Sequence, residues 1–169
     1  MESAREMMQA SSEAVLHLAG HAGLYVHHDD PWLVIDAIRR VVFPDVRRRL
    51  HAALEAGGTM RLIETYHEIR RFYPSERFDE QLLSSIGNEL GAAGRTEDAI
   101  ILLELNVEEY PNSPYAHFNL GVGYSHVGRP AEQLREFERA VELAEEQDDP
   151  MLPRYRGNLE NILRRIEER

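Results

Sequence analysis

Residues 83–94 read LSSIGNELGAAG and residues 117–128 read HFNLGVGYSHVG, so glycine and apolar residues recur with the same spacing. Gly87 and Gly121 hold the same place in the two stretches, and the interval between them defines a repeat period. A fixed period of this size, about 34 residues, is typical of proteins built from repeated structural units. Because glycine inside a helix costs about 1 kcal/mol relative to alanine, we interpret both glycines as points where a second helix packs closely.

The ends of the predicted helices recur as well. Gly94 and Gly128 are separated by the same repeat period, and an acidic side chain follows closely after each of them. Glycine favours the left-handed backbone that ends a helix, and acidic residues favour the first turn of the next one. The sequence therefore predicts two helical hairpins, over residues 79–113 and 114–147.

This pattern resembles the tetratricopeptide repeat, in which each unit is a helix–turn–helix of the same length. The resemblance implies a mainly α fold, an α-solenoid whose stacked hairpins present a concave face to another polypeptide. A degenerate first unit is predicted over residues 44–78, with helices at 45–56 and 59–72, although the Leu-Gly signature is absent there. Residues 151–168 are predicted to form a capping helix, so that residues 44–169 hold about three hairpins and a cap.

Six residues are predicted to line a partner-binding groove on the inner face of the first helices, and they are Asn88, Tyr115, Phe118, Asn119, Val122 and His126. Aromatic side chains on such a face are candidate anchors for a partner. The alternative is that Phe118 and Val122 only pack against the next helix.

The two asparagines of this set have a further interpretation. Asn88 and Asn119 stand at the separation found in tetratricopeptide modules that bind the terminal carboxylate of a peptide. Such a clamp also needs flanking cations, and the neighbouring helical positions, among them Gln81 and Ser84, provide none. We therefore expect these asparagines to bond a peptide backbone and not a carboxylate.

Residues 1–43 have a different character. Within them, residues 18–21, 29–31 and 34–40 resemble the last strand, the histidine loop and the closing helix at the C-terminal end of α/β-hydrolases. The resemblance implies that His21 holds the place of the catalytic histidine. The downstream repeats also resemble the tail that some bacterial serine hydrolases carry.

A serine hydrolase needs a nucleophile on a strained turn, usually Gly-x-Ser-x-Gly, and the sequence contains no such motif. We therefore predict a protein–protein interaction module that is not an enzyme on its own. The alternative is that the chain is the C-terminal part of an esterase-like α/β-hydrolase and contributes His21. A third hypothesis is self-association through residues 14–18, which are predicted to form an apolar strand without a partner.

The charge of the chain narrows the class of partner. The formal net charge is −11, and residues 79–169 carry 9 arginines against 19 acidic residues. An acidic surface repels phosphate backbones, so we expect a protein or peptide partner and no nucleic acid. The sequence contains no apolar stretch of the length that spans a bilayer, so no membrane partner is expected.

Cofactor and metal sites are not predicted. The chain has no cysteine, which excludes disulfides and thiolate zinc sites. Residues 27–30, His-His-Asp-Asp, are interpreted as a solvated loop that ends in a helix cap, because consecutive side chains rarely converge on one ion. The polar start of the sequence lacks the features of a signal peptide, and we expect a cytoplasmic protein.

Overall fold

The computed structural model describes residues 45–73 and 75–168, and these residues form helices and turns without any strand. The α-helices are α1 (Val46–Arg70), α2 (Glu80–Ala92), α3 (Thr96–Glu109), α4 (Pro114–His126), α5 (Pro130–Glu146) and α6 (Leu152–Glu167), with a short 3₁₀ turn at Ser75–Arg77. The predicted mainly helical fold is confirmed for this part of the chain. The hydrolase-like segment, with His21 and the predicted strand at 14–18, lies outside the described residues.

Helix α1 is interrupted by two glycines. Gly57 and Gly58 have non-helical backbone angles, and the φ of Gly58 is +72°, in the left-handed region that favours glycine. Two helical segments, 46–56 and 59–70, therefore lie on either side of the glycines, as predicted. The division between two compact units of the chain falls just before Ala53, and the descriptions below concern the second unit.

The helices of the second unit pack mainly against their neighbours in sequence. Helix α2 packs against α3, α4 against α5, α3 against α4, and α5 against α6, while α2 also contacts α4. Contacts between successive pairs, together with contacts between the first helices of successive pairs, are compatible with an α-solenoid.

The glycines that define the period lie where two helices touch. A Cβ atom at Gly87 would stand 3.1 Å from Cγ of Leu103, and one at Gly121 would stand 2.6 Å from a ring carbon of Phe137. Leu103 and Phe137 are themselves separated by one repeat period. The same close approach is therefore made twice, by α3 on α2 and by α5 on α4.

The first helix of each pair also ends in the same way. The φ angle is +80° at Gly94 and +69° at Gly128. The amides of the next residues, Arg95 and Arg129, donate to the carbonyl oxygens of Leu90 and Tyr124, at 2.9 Å and 3.1 Å. This is the left-handed helix end that the sequence predicts at both glycines.

Two apolar clusters hold the pairs together. One joins α4, α5 and α6, and its buried members are Phe118, Phe137, Ala140, Ala144, Tyr155 and Ile162. The other joins α3 to α4 and comprises Ile100, Leu103, Leu120 and Tyr124. Because α4 contributes to both clusters, it is the helix that connects the two hairpins.

Helix α1 contacts α3 through Arg70 at its C-terminal end and through Thr59, whose hydroxyl donates to Asp98 at 2.7 Å. The guanidinium of Arg70 forms an ion pair with Glu109 at 3.0 Å and lies 5.4 to 5.9 Å from the ring centroids of Tyr66, Phe78 and Tyr110. A cation held against several rings and a carboxylate stabilises the contact by both charge and packing.

Candidate functional site

A cavity of about 320 Å³ lies between α2, α3 and α4. Its walls are formed by Gly87, Asn88, Gly91, Ala92, Thr96, Ala99, Leu103, Val122, Gly123 and His126. Half of these residues are glycine or alanine, so the space exists because side chains are missing from the facing helices. Asn88, Ala92 and His126 are exposed, and the cavity opens to solvent beside them.

Gly91 is the wall glycine with the most room in front of it. A Cβ atom built there would meet only Cβ of Ala99, at 3.8 Å, which is an ordinary van der Waals contact. At Gly123, by contrast, a Cβ atom would stand 2.9 Å from a methyl carbon of Leu103. The unfilled volume therefore lies on the side of α2 and Ala99.

The polar groups at the opening come from two asparagines and a histidine. The side-chain amide of Asn88 donates to Oδ1 of Asn119 at 3.4 Å, and the amide of Asn119 donates to the carbonyl of Tyr115 at 2.7 Å. Asn119 is buried, whereas Asn88 and His126 are exposed. A few hydrogen-bonding groups around an apolar cavity are the usual composition of a ligand pocket.

The residues proposed from the sequence as groove residues fall into two groups, of which the first surrounds the cavity. Asn88, Val122 and His126 line it directly, and Asn119 is bonded to Asn88 at its edge. No role was predicted for Gly91, although the run of small residues at 91–94 was a visible signal of open space.

Phe118 belongs to the second group and lies in the core between α4, α5 and α6. It is 4% exposed, and its ring stacks on Phe137 at 5.3 Å and meets Tyr155 at 5.0 Å between centroids. The guanidinium of Arg154 covers the same ring at 5.0 Å. Tyr115, one turn earlier, is half-buried. The packing of Phe118 corresponds to the alternative role that the sequence left open.

A second polar cluster is buried between α4 and α5. Nδ1 of His117 lies 2.7 Å from a carboxylate oxygen of Glu136, and Nε2 lies 3.0 Å from the carbonyl of Pro111. Arg135 donates to the other oxygen of Glu136 at 3.2 Å. Burial acts to raise the pKa of Glu136, but the hydrogen bonds from His117 and Arg135 outweigh it, and the pKa is lowered.

This buried pair replaces an apolar pair of the preceding hairpin. His117 and Glu136 follow Leu83 and Leu102, respectively, by one repeat period, and both leucines are fully buried. His117 and Glu136 are shielded from solvent, at 8% and 7% exposed, whereas the side chain of Arg135 is 67% exposed. Its hydrogen bonds connect the turn that contains Pro111 to both helices.

Within residues 45–73 and 75–168, no group of three or more histidine or acidic side chains is placed to hold a metal ion. No helix in this range is both long and apolar enough to cross a membrane.

Comparisons with known proteins give no family assignment. No protein-family model matches the chain, and no curated protein matches it either.

Proposed function

We propose that the chain is a tetratricopeptide-like interaction module, and that it binds a polypeptide segment over the cavity between α2 and α4 without catalysing a reaction. The observation that carries the proposal is the cavity itself, about 320 Å³ in volume and walled mainly by small residues. A helical-repeat protein commonly binds its partner on the surface where the first helices of successive pairs lie side by side.

The chemistry of the opening supports a peptide. A bound backbone offers both amide donors and carbonyl acceptors, and the exposed amide of Asn88 can pair with either. The exposed imidazole of His126 stands at the same opening. The apolar interior supplies the part of the binding energy that comes from removing a side chain from water.

Replacing Asn88 with arginine is expected to weaken this binding strongly, because the longer side chain covers the opening. Peptides selected from a random displayed library on the whole protein are expected to bind Asn88→Arg about tenfold more weakly, or not at all. Asn161→Arg is the matched control, since Asn161 is an exposed asparagine on α6. Affinity is measured by fluorescence anisotropy with labelled copies of the selected peptides. Equal loss in both variants, or in neither, would place the binding surface elsewhere.

A further inference from the structure

We infer that the cavity receives one long apolar side chain, leucine, methionine or phenylalanine, from a partner segment that is otherwise basic. This inference rests on the proposed function and adds the chemistry of the partner.

The size of the cavity favours a single side chain. Pockets for drug-sized ligands start at about 300 Å³ and extend to about 1,000 Å³, so a cavity of about 320 Å³ stands at the lower limit. Leu103, Val122 and small residues form most of its walls, and its exposed polar side chains, Asn88 and His126, lie at the opening. A peptide fits such a cavity, because one apolar side chain can enter the interior while the peptide backbone stays at the polar opening.

The next hairpin carries bulkier residues at two of the positions that make this space. One repeat period after Gly91 and Ala99 stand Ser125 and Gln133, and Leu103 is followed by Phe137. The ring of Phe137 already occupies the position beside Gly121, where a Cβ atom would be 2.6 Å away. The space for an anchor side chain is therefore found where α2 meets α4 and is not repeated in the next hairpin.

The charge of the surrounding helices favours a basic partner. Residues 79–168 contain 8 arginines and 19 acidic residues. Arg95, Arg129, Arg135, Arg139 and Arg156 each form an ion pair with a carboxylate of this same region. The arginines are thus largely neutralised while the excess of acidic side chains remains, and this excess attracts a cationic segment over a distance set by the salt concentration.

A filled cavity tests the inference directly. Gly91→Met places a flexible apolar side chain in the space, and the change from glycine favours the helix. Gly157→Met is the matched control, because a Cβ atom at Gly157, also within a helix, meets nothing within 4 Å. Ala92→Trp is a second filling variant at the opening, and circular dichroism verifies that all three are folded.

The probe is a random displayed peptide library selected on the wild-type protein. Enriched peptides are expected to carry one leucine, methionine or phenylalanine among lysines and arginines. They are expected to bind Gly91→Met and Ala92→Trp about tenfold more weakly than wild type and Gly157→Met. Their affinity is also expected to fall as salt is raised from about 0.1 M to about 1 M, which shortens the screening length from about 10 Å to about 3 Å.

Two results overturn the inference, and they are distinguishable. Enriched peptides that lose affinity for Asn88→Arg but bind both filling variants normally, or that are acidic, leave the proposed function standing and remove the anchor pocket. Failure to enrich any peptide above a blank surface removes the inference and the proposed function together.

Discussion

Replacing Glu136 with leucine is expected to lower the free energy of unfolding by about 1–3 kcal/mol. The substitution removes the carboxylate that lies 2.7 Å from Nδ1 of His117. His117 is only 8% exposed, so water cannot replace the lost partner. Removing one member of a buried hydrogen-bonded pair leaves a polar group of the other without a partner, which costs more than the bond itself contributes.

Replacing both members is expected to give the opposite result. The double variant, with leucine at positions 117 and 136, should be about as stable as wild type or more stable. We expect this because the preceding hairpin already has leucine at the equivalent positions. Leu83 and Leu102 are both fully buried there. Urea unfolding of Glu136→Leu, His117→Leu and the double variant gives the coupling energy. A double variant as unstable as Glu136→Leu would show that the hairpins do not share this packing.

The contact between Glu136 and His117 also determines how the stability of the fold changes with pH. The pKa of Glu136 is lowered from its ordinary value of 4.5, with burial opposing and the hydrogen bonds from His117 and Arg135 prevailing. A carboxyl group of this kind stabilises the fold above its unfolded-state pKa, and the stabilisation is lost as the pH falls through the folded-state pKa. Wild type should therefore lose more stability below pH 4.5 than the double leucine variant does.

Gly121→Ala is expected to be about 1–3 kcal/mol less stable than Gly157→Ala, although the two substitutions are chemically identical. The added methyl group at residue 121 would stand 2.6 Å from two ring carbons of Phe137. That ring stacks on Phe118 at 5.3 Å, so it cannot move aside without disturbing the core of α4, α5 and α6. The methyl group at residue 157 meets nothing within 4 Å.

Thermal unfolding followed by circular dichroism compares the two alanine variants with wild type. Alanine replaces glycine within a helix in both, and this change alone stabilises the protein by about 0.5–1 kcal/mol. The midpoint should therefore rise for Gly157→Ala and fall for Gly121→Ala. A rise of the same size in both variants would mean that α5 does not approach α4 closely at Gly121.

The features that were predicted correctly from the sequence are local and recur along the chain. The left-handed ends at Gly94 and Gly128 depend only on backbone preference, and the contacts at Gly87 and Gly121 follow from their period. The cavity depends instead on the joint placement of three helices, which spacing along one chain does not define. For that reason the opening at Gly91 was not predicted.

The prediction that aromatic residues line the groove was also limited by what helical spacing can show. Helical spacing places Phe118 and Val122 on one face of α4, but it does not say which helix covers that face. In the structure Phe118 is covered by α5 and α6, whereas Val122 reaches the cavity. The buried pair of His117 and Glu136 was also missed, because each residue stands alone in the sequence and only the fold brings them together.

One helical hairpin is built twice in this part of the chain, with a glycine of each first helix packed against a side chain of each second helix. Nuclear Overhauser spectra of the labelled protein detect this packing. We expect cross-peaks from the α protons of Gly121 to the ring protons of Phe137, and from those of Gly87 to the methyl protons of Leu103. If both pairs of cross-peaks are absent from a folded sample with assigned resonances, the two hairpins are not packed as described.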